Sequence, residues 1–184
     1  ASARLLGDEL ETYGFACFVA HDTIQPMSEW RKEILKGLMT MEVMLVYLTD
    51  DFEESTWTNQ EVGFAIGRDV PIISLKLGTK DPPGFISHFQ AARGFNDRPQ
   101  QNATSLAPLI GKAIGDEDRL REALISAFCA CPEFSEAKPR FERMSQFAPR
   151  LTEDQATRIT QAFSENDQLN RAIYLNNHHN RLIK

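Results

Sequence analysis

The chain contains no apolar run that approaches the roughly 20 residues of a membrane-spanning helix. Its first residues also lack the basic and then apolar pattern of a secretory signal. We therefore predict a cytoplasmic protein. With 42% hydrophobic and 25% charged residues among 184, the composition is that of an ordinary globular domain with, at most, a small appendage.

An excess of positive charge is also missing, because the formal net charge is −6. Nucleic-acid binding usually needs a basic face, so we expect no nucleic-acid partner. Four of the 26 acids form one cluster, Asp50-Asp51-Phe52-Glu53-Glu54. We interpret this cluster as a solvated loop and helix N-terminus, where acids suit the helix dipole.

Cysteines are too few for a disulfide framework, since the chain has only Cys17, Cys129 and Cys131. Cys129-x-Cys131 has the wrong spacing for a zinc knuckle, and no histidine lies nearby. We predict buried or free thiols in a reducing compartment and no metal site.

Short apolar runs alternate with helical patterns over residues 1–115. The patterns predict helices at 2–13, 28–39, 55–67 and 104–114, and strands at 15–20, 42–49, 69–75 and 88–95. Such alternation is typical of βα units in a doubly wound parallel sheet. The chain opens on a helix, so we expect the opening strand of such a sheet to exist only in a longer, full-length protein.

Residues 116–184 have a different pattern and are predicted to form an α-helical extension. Residues 117–130 form an amphipathic helix, with Leu120, Leu124, Ile125 and Phe128 on one face. Pro132, Pro139 and Pro149 are expected to divide the next segment into short pieces. Thr152 is a suitable cap for a further helix, and a final helix begins near Asp167.

The most informative motif follows the apolar run 43–48, where Ser55, Trp57 and Glu61 open a helix. In a parallel α/β sheet, ligands bind at this carboxyl edge. Trp57 and Glu61 share one helix face, so an indole and a carboxylate would line the same crevice. Structural roles are the alternatives: a solvated or paired Glu61, a Trp57 in the core, and a Ser55 that only caps the helix.

Several sequence segments, taken in their order along residues 1–115, together resemble a known family. They are the strand that ends Phe18-Val19-Ala20-His21-Asp22, the loop Ile24-Gln25-Pro26, Trp30, the strand 43–48, Ser55-x-Trp57-x-x-x-Glu61, and Val70-Pro71-Ile72-Ile73. The ordered set resembles the Toll/interleukin-1 receptor (TIR) domain family, especially its bacterial members. Two departures are the absent opening strand and Met27, where many members have glycine.

The resemblance implies a flavodoxin-like parallel sheet and an NAD⁺-cleaving enzyme with Glu61 as the catalytic carboxylate. It also implies a substrate pocket to which seven residues contribute: Trp57, Ser55, His21, Asp22, Trp30, Tyr47 and Thr49. His21 as a plain loop residue and Trp30 as a packing residue are the alternatives. NAD⁺ would be the substrate, with no cofactor, and the product would be ADP-ribose or a cyclic ADP-ribose signal.

The family likeness further implies self-association through TIR domains, an effector that senses the product, and a role in anti-phage immunity. Residues 116–184 would then form an oligomerisation or regulatory module. Its apolar residues Leu169, Ile173 and Leu175 would need a partner surface or would dock on the sheet edge of the chain itself.

Two other functions remain open from the sequence. A non-enzymatic TIR scaffold would act by homotypic contacts and would not need Glu61. A nucleoside deoxyribosyltransferase-like enzyme would also use a carboxylate on a flavodoxin-like sheet, but it would process nucleosides and leave NAD⁺ intact.

Overall fold

In the computed structural model, which describes residues 2–19, 30–147, 151–172 and 175, the first part of the chain surrounds a parallel sheet. Strand β1 (Met44–Leu48) pairs with β2 (Ile72–Lys76), and β2 pairs with β3 (Ala92–Arg93). The register places Met44 opposite Ile72 and Leu75 opposite Ala92. The predicted α/β fold with a parallel sheet and a C-terminal helical extension is confirmed.

Helices cover both faces of this sheet. They are α1 (Ser2–Glu11), α2 (Trp30–Thr40), α3 (Thr56–Gly67) and α4 (Pro99–Ala113). Helix α1 packs on α4, where the Gln100 amide donates to Glu9 at 2.7 Å. Val46 and Leu48 of β1 form a buried cluster with Val62 of α3. Alternation along the strand therefore places Tyr47 on the other face, beside Leu5 of α1.

The strand predicted at residues 15–20 is wrong over its described part, because residues 15–19 are not assigned to a β-strand. Two of their side chains instead lie against helices. A Cβ on Gly7 of α1 would lie 3.6 Å from Cys17 Cβ, and a Cβ on Gly37 of α2 would lie 2.7 Å from Phe18 Cδ1. An apolar run can make side-chain contacts without a hydrogen-bonded neighbour strand. Here the shielding is partial, because Cys17 is half-buried and Phe18 is 43% exposed.

The chain divides into two compact units, residues 1–116 and residues 117–184, here called the first unit and the helical unit. The helical unit contains α5 (Glu117–Cys129), α6 (Phe134–Ser145), α7 (Glu153–Glu165) and α8 (Asp167–Asn170). The predicted apolar face of α5 is buried, and the Phe128 ring lies 6.0 Å from the Phe141 ring of α6. All three cysteines are free thiols, as predicted, and Cys131 is buried.

Two predictions in the helical unit turn out differently from each other. Thr152 caps α7 as predicted, in a capping box with Gln155. Pro139, however, does not divide the chain, because it lies inside the continuous helix α6. The buried face of that helix, Ala137, Phe141 and Met144, packs on α5. This tertiary contact offsets the hydrogen bond that proline cannot donate.

The end of the helical unit also corrects an expectation. Leu169 and Leu175 are fully buried, and α8 packs on α6 and α7. These two side chains therefore do not need an external partner surface, whereas Ile173 lies outside the described residues. Within the described part of the chain, no helix has the length and apolar character to cross a bilayer.

Candidate active site

The site is built where β1 ends and α3 begins. Phe52–Glu54 form a single 3₁₀ turn with Phe52 buried, and Ser55 then takes an extended backbone conformation. The Ser55 hydroxyl accepts hydrogen bonds from the Thr58 backbone N–H at 3.3 Å and from the Thr58 hydroxyl at 2.8 Å. The predicted N-cap is therefore confirmed, and it sets where α3 starts. A contact between Ser55 and substrate stays a prediction.

Helix α3 presents Trp57 and Glu61 one turn apart. Val62 and Ala65 anchor the buried face of the helix. The Trp57 side chain is 51% exposed, so it is not the core residue of the structural alternative. Glu61 is partly buried on the same helix face as Trp57. An aromatic ring and a carboxylate therefore lie together at the carboxyl edge of the sheet, where parallel α/β folds bind ligands.

Trp30 of α2 joins this pair. The ring centroids of Trp30 and Trp57 are 5.1 Å apart with an interplanar angle of 70°, which is an edge-to-face contact. The Trp30 ring is still 46% exposed, and the Arg31 guanidinium lies 5.9 Å from its centroid. At the other end of the two helices, the Arg68 side chain donates to the Leu38 carbonyl. Helices α2 and α3 are therefore held together at both ends.

The remaining site predictions fall in three places. Thr49 is exposed at the end of β1, and its carbonyl accepts from the Phe52 N–H at 3.2 Å. Thr49 therefore lies on the same sheet edge as Ser55. Tyr47 instead lies on the face covered by α1 and α4, where burial, followed by the nearby Cys17, raises its pKa to about 12. His21 and Asp22 lie outside the described residues.

The structure adds one polar contact that the sequence prediction missed. Asp50 was interpreted as part of a solvated acidic cluster. Its carboxylate is exposed, as that interpretation requires, but it also accepts from the Thr79 N–H at 2.7 Å and from the Thr79 hydroxyl at 2.9 Å. These hydrogen bonds, above all the one from the Thr79 backbone, lower the pKa of Asp50. The available signal was an aspartate at one strand end and Gly78-Thr79 at the next.

The side chains brought together here can act on a ligand by charge and by aromatic stacking. Among the described residues, no group of three or more His, Cys, Asp or Glu side chains could hold a metal ion. Indole faces attract flat and cationic groups, and a carboxylate stabilises positive charge at close range. The arrangement therefore suits a ligand that is flat and positively charged, or that becomes positively charged as it reacts.

A family model described as TIR domain matches residues 1–109, which is more than half of the chain. The match includes Trp30, Ser55, Trp57 and Glu61 and ends before the helical unit. No curated protein and no solved structure gives a significant match.

Proposed function

Because this chain belongs to the TIR domain family, we propose that its first unit cleaves NAD⁺ at the bond between nicotinamide and ribose. The family includes NAD-cleaving enzymes and also non-enzymatic members, so membership alone does not decide between them. The observation that carries the proposal is the pair Trp57 and Glu61 on one face of α3, at the carboxyl edge of the sheet.

Glu61 is the catalytic residue in this proposal. Nicotinamide leaves NAD⁺ as a neutral base from a pyridinium cation, so no acid is required to protonate it. As the bond breaks, positive charge moves onto the ribose, as it does in glycoside hydrolysis. A fixed carboxylate stabilises that charge and accepts hydrogen bonds from the ribose hydroxyls.

The fate of the ribosyl cation defines the product class. Attack by water on the anomeric carbon gives ADP-ribose, and the water loses one proton. Attack by the adenine or by a ribose hydroxyl closes a ring and gives a cyclic ADP-ribose signal, and a hydroxyl nucleophile loses its proton to solvent. Both outcomes use the same bond cleavage and the same carboxylate.

The aromatic pair would bind the nicotinamide end of the substrate. Trp57 would wall or stack on the ring, and Trp30 supports Trp57 from the side at 5.1 Å. Ser55 and Thr49 would contribute from the same edge, and we assign His21 and Asp22 to the remainder of the substrate surface. Tyr47 is left out, because it lies on the opposite face of the sheet from α3. NAD⁺ is then a substrate, and the reaction needs no resident cofactor.

Assembly is part of the proposal. TIR domains commonly self-associate through homotypic contacts. We propose that the helical unit serves oligomerisation or regulation, and that a downstream effector in anti-phage immunity senses the product.

A homotypic scaffold without catalysis is the second candidate function. The exposure of both Trp30 and Trp57 favours it, because exposed aromatic rings also suit protein contacts.

The proposal is tested by following nicotinamide release from NAD⁺ over a series of protein concentrations, with mass analysis of the second product. Deoxynucleosides are offered in parallel reactions. NAD⁺ turnover that rises more than linearly with protein concentration supports an enzyme that depends on assembly. Turnover of deoxynucleosides alone supports the transferase alternative, and no turnover in any reaction supports the scaffold.

A further inference from the structure

The loop that leaves β2 is attached to the end of β1 by backbone hydrogen bonds. The Leu48 carbonyl accepts from the Leu77 N–H at 3.0 Å and from the Gly78 N–H at 2.9 Å. The next contact is made by a side chain, because one oxygen of the Asp50 carboxylate accepts both the Thr79 N–H and the Thr79 hydroxyl. Both hydrogen bonds go to an ionised acceptor and are therefore charge-assisted.

Gly78 provides a second, independent sign that the two segments are tightly joined. A Cβ on Gly78 would lie 2.5 Å from Asp50 Oδ1 and 2.8 Å from the Asp50 backbone nitrogen. The second of these atoms belongs to the main chain and cannot move aside without moving the strand end. Glycine is therefore required where the loop passes Asp50.

Further hydrogen bonds connect the segment after Asp50 to α3. The Phe52 N–H donates to the Thr49 carbonyl, and the Glu54 N–H donates to the Asp51 carbonyl. The Asn59 amide of α3 then donates to the Glu53 carbonyl at 3.1 Å. The start of α3 is thus linked to the segment that Asp50 fastens.

We propose that Asp50 is a positioning residue of this site: it clamps the loop after β2 to the end of β1 and thereby fixes the start of α3, which carries Trp57 and Glu61. As a role in catalysis, this inference rests on the proposed function. Its structural part, the effect of the clamp on the geometry of Trp57, can be measured without any turnover.

The test compares Asp50→Ala, Asp50→Asn and the matched control Asp51→Ala. Asp51 is exposed, and its side chain makes no cap hydrogen bond, so its removal changes the charge in the same way without opening the clamp. Trp30 and Trp57 are the only tryptophans in the chain, so the tryptophan bands of the near-ultraviolet circular dichroism spectrum report on this site.

We expect Asp50→Ala to reduce those tryptophan bands while its far-ultraviolet spectrum stays unchanged. Asp51→Ala should match the wild type, and Asp50→Asn should recover most of the signal, because an amide oxygen can still accept from Thr79. In NAD⁺ turnover, kcat of Asp50→Ala should fall about 10-fold or more with a smaller change in KM, as displaced catalytic groups usually cause.

An unchanged tryptophan spectrum in Asp50→Ala, or the same change in Asp51→Ala, overturns the clamp whether or not the chain turns over NAD⁺. If the wild type does not turn over NAD⁺ but Asp50→Ala shows the expected loss of tryptophan signal, the proposed function is overturned and the clamp is supported. If Asp50→Ala does not fold, Gly78→Ala replaces it, because the added Cβ would lie 2.5 Å from Asp50 Oδ1 and force the loop away from the strand end. Its tryptophan bands must then weaken, and an unchanged spectrum overturns the proposal.

Discussion

Trp30 and Trp57 meet edge to face across the N-terminal ends of α2 and α3, with ring centroids 5.1 Å apart. About half of each side chain remains exposed. Residues far apart in sequence therefore build one aromatic surface beside Glu61, and each ring holds the other in place. This relationship connects the fold of the first unit to the substrate that we propose.

Replacing Trp57 with leucine should weaken NAD⁺ binding. Aromatic pairs contribute about 0.5–1.5 kcal/mol beyond their buried area, so KM should rise about 2- to 12-fold. The control is Phe85→Leu, which removes an 81% exposed aromatic ring from the loop after β2. The measurement is KM for NAD⁺ from steady-state kinetics. Equal KM values for the two variants would show that Trp57 is not part of the substrate surface.

Ser55→Ala should destabilise the first unit by about 1 kcal/mol, because the Thr58 N–H loses its cap. Ser55→Asn should keep most of the stability, since asparagine is an equally good cap residue. The free energy of unfolding in urea is the measurement. A loss in the asparagine variant as large as in the alanine variant would show that capping is not the main role of the Ser55 side chain.

Alanine substitution at two glycines should change stability in opposite directions. A Cβ on Gly94 would lie 2.7 Å from Leu75 Cγ, so Gly94→Ala should cost about 1–3 kcal/mol by overpacking. A Cβ on Gly63 within α3 would meet nothing within 4 Å, so Gly63→Ala should stabilise by about 0.5–1 kcal/mol. Urea unfolding measures both effects, and changes of the same sign would contradict this account of the packing.

Alkaline pH should destabilise the first unit through Cys17 and Tyr47. Burial, with help from Glu11, raises the pKa of the Cys17 thiol from 9.0 to about 11 in the folded chain. Burial also raises the pKa of Tyr47 from 10.0 to about 12. The folded chain therefore binds more protons than the unfolded chain above pH 9, so its stability is full below pH 9 and falls as the pH rises.

The variant that checks this prediction is Cys17→Ala. Its free energy of unfolding should decline less between pH 9 and pH 11 than that of the wild type, since one of the two groups no longer titrates. The pH 8 value of each protein is its own reference, which removes the cost of the substitution itself. Parallel declines in the two proteins would mean that the Cys17 thiol does not remain protonated in the folded state.

Local signals in the sequence predict the elements that carry the site. Ser55 before an apolar-periodic segment defines the start of α3, and Thr152 does the same for α7. These signals succeed because capping is a short-range interaction between residues three positions apart. The spacing of Trp57 and Glu61, four residues apart, is likewise enough to place them on one face of α3.

Local sequence signals could not predict the contacts between residues that are distant in the chain. The apolar run 15–19 looks like a strand because an apolar sequence does not say whether a neighbouring strand is available for pairing. Pro139 lies within α6 because packing on α5 outweighs its local cost. The contact of Asp50 with Thr79 joins two loops that only the β1–β2 register brings together. The Trp30–Trp57 contact likewise depends on how α2 and α3 pack.

The most direct test of the central claim is nicotinamide release from NAD⁺ by the wild type, Glu61→Gln and Glu54→Gln, at equal and high protein concentration. Glutamine keeps the shape of the side chain and removes its charge, and Glu54 is an exposed acid in the turn before α3. We predict that Glu61→Gln loses at least about 100-fold in kcat, as the loss of transition-state charge stabilisation requires, while Glu54→Gln stays within about 2-fold of the wild type. Equal release by Glu61→Gln and the wild type would contradict the account.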